Sequence, residues 1–452
     1  MKIFSIVFSV CFCFAFWNTS HTQKTYPEQV WLTYPSPESA GLSTDKINKI
    51  KSIYESSQGA ALLVAINGKI ALSWGDNTRQ FMVHSIRKSF IHSLIGREIE
   101  KGTLKMDEDL VSLGIDDNQE LTDQEKTATL RDLLSSRSGI YLPSAYSSQG
   151  MINNLPDRGS YRPGEHWYYN NWDFNALATI YEQRTGKTIF EAFEKEIARP
   201  IGMEDFELDD CYYRFERDKS DHPAYLFRMS ARDMARFGYL YLRNGKWKND
   251  QIVPSDWIAK GTQTISDQLG DFGGKGTYGL LWWVEDQEFP SDIFYASGSG
   301  GHRIIVIPDR DMIIVHRTDT FEGKRVSEAT IREYIRLLLD AQNLERDDAG
   351  LSTYHPSSTS LQHAYVGDMT SYVGTYHHNF LGAMTVTKEK SGYVLKNNIG
   401  QFQLYAQSAS SFFIEDIEQT IVFVASEDEN SKNTIQPKLG PDRSIESIIF
   451  YY

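Results

Sequence analysis

The sequence predicts an α+β fold: an antiparallel sheet flanked by helices, with a mostly helical region inserted between its strands and a small C-terminal all-β domain. Three observations carry this. Apolar runs at 60–66 and 69–74 flank Asn67-Gly68, a two-residue turn suited to positive φ, so they read as a β-hairpin. Buried-strand patterns then reappear only at 278–284, 303–307 and 312–316, which leaves a helical middle between the two ends of one sheet. Past 344–362, a stretch of charge followed by Ser, Pro and Thr, the pattern changes to short alternating runs spaced as in a small β unit.

Each element has its local reason. Ser43 or Thr44 caps an amphipathic run through Ile47, Ile50 and Ile53. From Ser85 a helix carries Phe90, Ile91, Leu94, Ile95 and Ile99 at helical intervals and stops at Gly102. A short helix at 129–134 closes at Ser138-Gly139, and 141–162 is polar and aperiodic, a long surface loop that can border a cleft. Pro163-Gly164 leads into a helix with Phe174, Leu177 and Ile180 that ends at Gly186, and a second helix spans 188–199. Ser230 caps a helix whose inner face holds Met234, Phe237, Leu240 and Tyr241; helical spacing returns at 326–339.

Composition bounds the function. The chain has 452 residues, enough for a large core and more than one domain. Its 46 Lys+Arg against 60 Asp+Glu give a net charge of -14 with no basic run, which excludes a nucleic-acid surface. At the start, Lys2 precedes an apolar run over 3–17 and then small and polar residues, the pattern of a secretory signal over 1–22. A membrane span takes about 20 apolar residues, so we expect an exported protein, periplasmic or extracellular, with no stable span once the signal is removed. Cys11 and Cys13 fall within that segment, behind the large Val10 and Phe12, which argues against a lipid-modified cysteine. Cys211 is then alone in the mature chain, so no internal disulfide forms. The expected organisation is a signal at 1–22, a catalytic domain at 23–343, a linker at 344–362 and the β domain at 363–452.

The chemistry centres on Ser85-x-x-Lys88. On a helix the two side chains share a face, within reach of each other. A free lysine, with a pKa of about 10.4, is protonated at neutral pH; burial lowers that value and lets the amine take the serine proton. Backbone N–H groups at the helix start can then face a developing oxyanion. The motif alone is not diagnostic: Ser43-Thr44-Asp45-Lys46 fits it too, and reads as a helix cap.

Other segments, in order, are Ser39-Ala40-Gly41-Leu42, Asp132-Leu133-Leu134 with Ser138-Gly139, Pro163-Gly164 with Tyr169-Asn170-Asn171, Pro200-Ile201-Gly202-Met203, Ser230 to Asp233, Tyr278-Gly279 before Trp282-Trp283, and Gly298-Ser299-Gly300-Gly301. Together with Ser85-x-x-Lys88, over about 35–339, the chain resembles the serine β-lactamase-like hydrolases: class C β-lactamases, DD-peptidases, esterases and linear amide hydrolases. That resemblance implies a β-lactamase/transpeptidase-like fold, Ser85 as the acylated nucleophile, Lys88 as its proton acceptor, Tyr169 as the proton shuttle of a Tyr-x-Asn motif and Asn171 as a substrate-orienting residue. Tyr168 competes with Tyr169, since Tyr168-Tyr169-Asn170 also fits; the distance from Pro163-Gly164 favours Tyr169. Where many relatives carry Lys-Thr-Gly or His-x-Gly, this chain has Ala296-Ser297-Gly298, so the cation that binds a substrate carboxylate is missing there. The Gly-Ser-Gly-Gly form resembles the branch of 6-aminohexanoate-dimer hydrolase and related esterases. Gly298 would let the strand approach substrate and the Ser299 N–H would join that of Ser85 in an oxyanion hole. His302 reads equally as a substrate contact or a surface histidine.

The implied function is hydrolysis of a small-molecule ester, amide or peptide through an acyl-enzyme. A penicillin-binding-protein-like sensor or non-turnover binding protein on the same fold is the alternative. No His-Glu-x-x-His occurs among the 11 His and no Cys pair lies outside 1–22, so no metal or cofactor is expected. Substrate identity and oligomeric state are not written in the sequence.

Overall fold

A computed structural model describes residues 25–452 apart from 268, 270–275, 286–287, 321–322, 357–368, 379–381, 390–391, 398–399, 409, 415–418, 427–431 and 440–444. The expected signal segment lies outside the described residues.

The hairpin forms as its turn demands. Asn67 (φ 49°) and Gly68 (φ 71°) join β1 (Gly59–Ile66) to β2 (Lys69–Gly75). Three strands from the far end of the domain, β3 (Phe294–Gly298), β4 (His302–Ile307) and β5 (Met312–Thr318), complete the centre of the sheet, with β5 antiparallel to β1. Nine strands line up in the order Ser352–Thr353, Leu32–Thr33, β2, β1, β5, β4, β3, Trp283–Val284, Thr277–Tyr278. The sheet is mixed rather than wholly antiparallel, because Leu32–Thr33 runs parallel to β2 at Thr33↔Ile70.

Both faces of this sheet are covered, which is why its strands read as unbroken apolar runs. Alternate residues of β1 go opposite ways. Leu62, Val64 and Ile66 pack with Ile47 and Ile50 of α1 (Thr44–Ser56) and with Ile331 and Leu338 of α5, the helix Glu328–Ala341. Ala61, Leu63 and Ala65 face the other core, with Phe90 and Leu94 of α2 (Arg87–Lys101), Phe174 and Leu177 of α3 (Asn171–Thr185), and Met234 and Phe237 of α4 (Ala231–Leu242). Burying a Leu or Phe side chain stabilises by roughly 1.5–3 kcal/mol, so these two clusters hold the domain together.

Several boundaries differ from the sequence reading. The 278–284 run is not one strand: Leu281 at φ 59° turns the chain, so Thr277–Tyr278 and Trp283–Val284 pair with each other. The 188–199 helix divides into Ile189–Phe193 and a wider π turn at Glu194–Ala198. The loop at 141–162 contains the short helix Gln149–Asn153, capped by Ser148. In the expected linker, Ser352–Thr353 is an edge strand, Asp348 pairs with Lys69 at 2.7 Å and Tyr354 shares a hydrogen bond with Ser73, so this part is docked on the sheet. Residues 357–362 fall outside the described residues.

The C-terminal unit is a closed eight-stranded barrel whose interior holds Tyr372, Tyr376, Phe412, Phe423 and Phe450. It leans on the strand Cys211–Arg214: Phe402 packs on Tyr212 at 6.1 Å, and Gly400 comes so near the Tyr213 carbonyl that a Cβ would lie 2.5 Å from it.

Candidate active site

The chain enters α2 through a tight 3-10 turn, His84–Ile86, so the regular helix begins at Arg87 rather than at Ser85. The three-residue spacing survives the change. Lys88 Nζ lies 2.9 Å from Ser85 Oγ. Lys88 is 2 % exposed and sits 4.6 Å from the ring centroids of Tyr169 and of Phe174. No carboxylate pairs with it among the described residues. Burial, reinforced by the charge of Arg87, holds its ammonium well below the ordinary lysine range.

Tyr169 arrives from the segment before α3, which is held in place by a buried polar lattice. Ser136 Oγ donates to the Tyr168 carbonyl at 2.6 Å, Asn170 Nδ2 donates to the Ile140 carbonyl at 2.7 Å, and Ser138 Oγ donates to Asp173 at 2.5 Å. Asn170 also caps α3 by accepting from the Trp172 N–H. This lattice is why serines 136 and 138, far from the chemistry in sequence, stand beside it. It turns Tyr169 towards Ser85, with which it shares a hydrogen bond; burial pushes its phenol up to about 12 against the pull of that bond. Tyr168 turns the other way and donates to the Met151 carbonyl at 2.6 Å.

Opposite stands β3. A Cβ on Gly298 would meet the Val83 carbonyl at 2.5 Å, so only glycine lets this strand lie against the segment entering Ser85. Gly300 and Gly301 follow at φ 85° and 100°. Their carbonyls are pinned: Thr318 Oγ1 donates to Gly300 at 2.7 Å and His316 Nδ1 lies 2.8 Å from the Gly301 oxygen.

Ser85, Tyr169, Asn171, Gly298 and Ser299 thus open on one cleft of about 690 Å³, with Lys88 buried beneath Ser85. Asn171 Nδ2 donates to the Tyr146 carbonyl at 2.6 Å, and its buried Oδ1 has no protein partner among the described residues. His302 is the correction. It is 0 % exposed, does not line the cleft, and accepts from Arg317 Nε at 2.9 Å. Consecutive strand residues face opposite sides, so Arg303, not His302, reaches the cleft. Sequence reasoning also missed His84, hydrogen-bonded to Tyr146 and Thr320 at 2.8 Å each, and the group Arg214, Glu216 and Lys219. Only the position of His84 beside the nucleophile signalled it. Among the described residues no group of His, Cys, Asp or Glu is arranged to hold a metal, and no helix is long and apolar enough to cross a membrane.

Known proteins share this fold. The Beta-lactamase family profile matches residues 48–337, well over half of the chain. The chain belongs to the Beta-lactamase family. An uncharacterised protein of Alkalihalophilus pseudofirmus is 23% identical over 299 residues, 58% of this chain and 84% of that one. A D-aminopeptidase of Brucella anthropi is 26% identical over 179 residues, which span 33% of this chain and 32% of that protein. Among solved structures, a candidate 6-aminohexanoate-dimer hydrolase from Bacillus anthracis superposes with a TM-score of 0.52 at 20% identity, covering 70% of this chain and 88% of that one. The octameric penicillin-binding protein homologue from Pyrococcus abyssi superposes with a TM-score of 0.51 at 16% identity, covering 82% and 92%. These two establish the shared fold. The family is one of β-lactamase-like serine hydrolases acting on small substrates.

Proposed function

We propose that this chain is a serine hydrolase that cleaves an ester or amide through an acyl-enzyme on Ser85. The observation that carries the reading is a buried Lys88 amine 2.9 Å from the Ser85 hydroxyl, with no carboxylate paired to it among the described residues. Ser85 Oγ attacks the carbonyl carbon and its proton passes to Lys88 Nζ, while the oxyanion is met by the N–H groups of Ser85 and Ser299. The tetrahedral intermediate collapses, the C–O or C–N bond breaks, and the leaving group takes a proton through Tyr169. Water then adds to the acyl-enzyme, giving its proton back through the same pair, and frees the acid and Ser85. Asn171, which lines the cleft, holds an N–H or O–H of the substrate.

Two arguments support the assignment of Tyr169 over Tyr168: its hydrogen bond to Ser85 and the engagement of Tyr168 elsewhere. The test is Ser85→Ala. It abolishes hydrolysis of a nitrophenyl ester and labelling by a fluorophosphonate; labelling retained in the variant refutes the assignment. A burst without steady turnover in the unaltered protein would instead mark a non-turnover binding protein. Export rests on the pattern of 1–22 alone and is checked by cell fractionation together with the N-terminal sequence of the product.

A further inference from the structure

Two cleft-lining residues other than glycine, His84 at φ 49° and Tyr146 at φ 62°, hold a left-handed backbone. That conformation crowds a Cβ and persists where neighbours enforce it. Here the enforcing contacts join the two residues to each other. His84 Nδ1 and Tyr146 Oη lie 2.8 Å apart, with the rings 7° from parallel. Tyr146 is held at its backbone as well: its N–H donates to Glu216 at 3.1 Å and its carbonyl accepts from Asn171 Nδ2 at 2.6 Å.

The other ring nitrogen meets a different element. His84 Nε2 lies 2.8 Å from Thr320 Oγ1, just past the end of β5. Thr320 is buried, and its methyl group occupies the place that a Cβ on Gly300 would take. Gly300 follows Ser299 in the turn whose carbonyls Thr318 and His316 pin. His84 in turn precedes Ser85, so the peptide between them carries the Ser85 N–H. One imidazole therefore connects the two stretches of backbone that present the Ser85 and Ser299 N–H groups. Both of its bonds suit a neutral ring, in which one nitrogen donates and the other accepts, because a hydroxyl takes either part. Desolvation, then the charge of Arg317, lowers the imidazole to about 3 and keeps it neutral.

We propose that His84 is a positioning residue that bridges Tyr146 and Thr320 and thereby fixes the spacing of the Ser85 and Ser299 N–H groups around the oxyanion. This rests on the hydrolase reading above and adds a residue to it. His84 transfers no proton in this role; it acts through the backbone of the nucleophile. Donors to an oxyanion work only where the charge develops, so a loosened bridge slows the chemical steps and leaves substrate binding largely alone.

Hydrolysis of 4-nitrophenyl acetate tests this. Thr320→Val and Tyr146→Phe each delete one hydroxyl and keep the shape of the side chain. Each lowers kcat about tenfold, a part of the roughly 100- to 1000-fold that loss of a whole donor costs, while KM changes by about threefold or less. His84→Gly removes both bonds yet leaves positive φ open, and lowers kcat about 100-fold. Because the Thr320 hydroxyl acts through the ring, adding Thr320→Val to His84→Gly lowers kcat no further. Thermal melts show which variants are folded at the assay temperature; should His84→Gly not be, the two hydroxyl deletions decide alone. An unchanged kcat in both deletions, a loss confined to KM, or a full further loss on adding Thr320→Val to His84→Gly overturns the proposal. Fluorophosphonate labelling of the unaltered protein keeps the two readings apart: labelling with kcat unchanged in the variants removes only the role of His84, and absence of labelling removes the hydrolase reading and this role with it.

Discussion

Lys88 Nζ and Ser85 Oγ lie 2.9 Å apart, one turn from each other at the head of α2, and among the described residues no acid accompanies the amine. Burial, with the Arg87 charge, lowers the Lys88 ammonium well below the value it has in an unfolded chain. Between its folded value and the ordinary 10.5, the unfolded state binds a proton that the folded state does not, so this site costs stability, and costs more as pH falls through that window. Lys88→Met is therefore expected to raise stability at pH 7, by roughly 1 kcal/mol, while lowering kcat at least 1000-fold, a trade between stability and activity. Thermal melts at pH 7 and pH 9 check the sign: the gain over the unaltered protein is larger at pH 7.

Tyr169→Phe and Tyr168→Phe separate the two neighbours. The first removes the hydroxyl bonded to Ser85 and lowers kcat roughly 100- to 10,000-fold with little change in folding. The second removes a buried hydrogen bond to the Met151 carbonyl and costs about 1 kcal/mol with kcat largely kept. Steady-state kinetics and denaturant titration of both variants read the two effects; the opposite pattern would reassign the proton shuttle.

Acid unfolding follows from three buried histidines. His92, His302 and His316 are each 0 % exposed, and burial lowers His92 to about 3, His316 to about 4 and His302 well below its ordinary value. The folded state keeps them neutral while the unfolded chain protonates them below about 6.5. Their contribution to stability is fully present above that pH and is lost as pH falls from about 6.5 to about 4 for His316 and to about 3 for His92, each adding up to about 1.4 kcal/mol per pH unit. Unfolding free energies measured at pH 7, 6 and 5 should fall in that order, and His92→Gln should reduce the slope.

Gly298→Ala tests the close approach of β3 to the nucleophile segment. The added Cβ would press on the Val83 carbonyl at 2.5 Å, backbone against backbone, so the strand has to move away from Ser85. A displacement of about 1 Å costs on the order of 100-fold in kcat/KM, with a folding cost of roughly 1–3 kcal/mol. Kinetics and a melt on the same sample check both.

Legibility followed the range of the interactions. The hairpin at Asn67-Gly68 and the α2 helix were legible because turn preference and 3.6-residue spacing are local. The decoy Ser43-x-x-Lys46 was separable for the same reason: Ser43 stands at the start of α1 and Lys46 meets Asp340 at the surface. His302 was misjudged because nearness in sequence to Ser299 says nothing about which face of β4 a side chain takes. The 278–284 strand was misjudged because apolar content does not reveal a residue at positive φ such as Leu281. Arg303, Arg214 and Lys219 left no motif at all, being brought to the cleft from separate strands and loops.

What the sequence by itself determined is the set of local elements, the family they spell in order, and the pairing of a hydroxyl with an amine at helical spacing. Only the tertiary structure decided that this amine is stripped of water by Tyr169 and Phe174. The reason is that desolvation is a sum over everything nearby in space, and Tyr169 and Phe174 stand 81 and 86 positions beyond Lys88 in the chain.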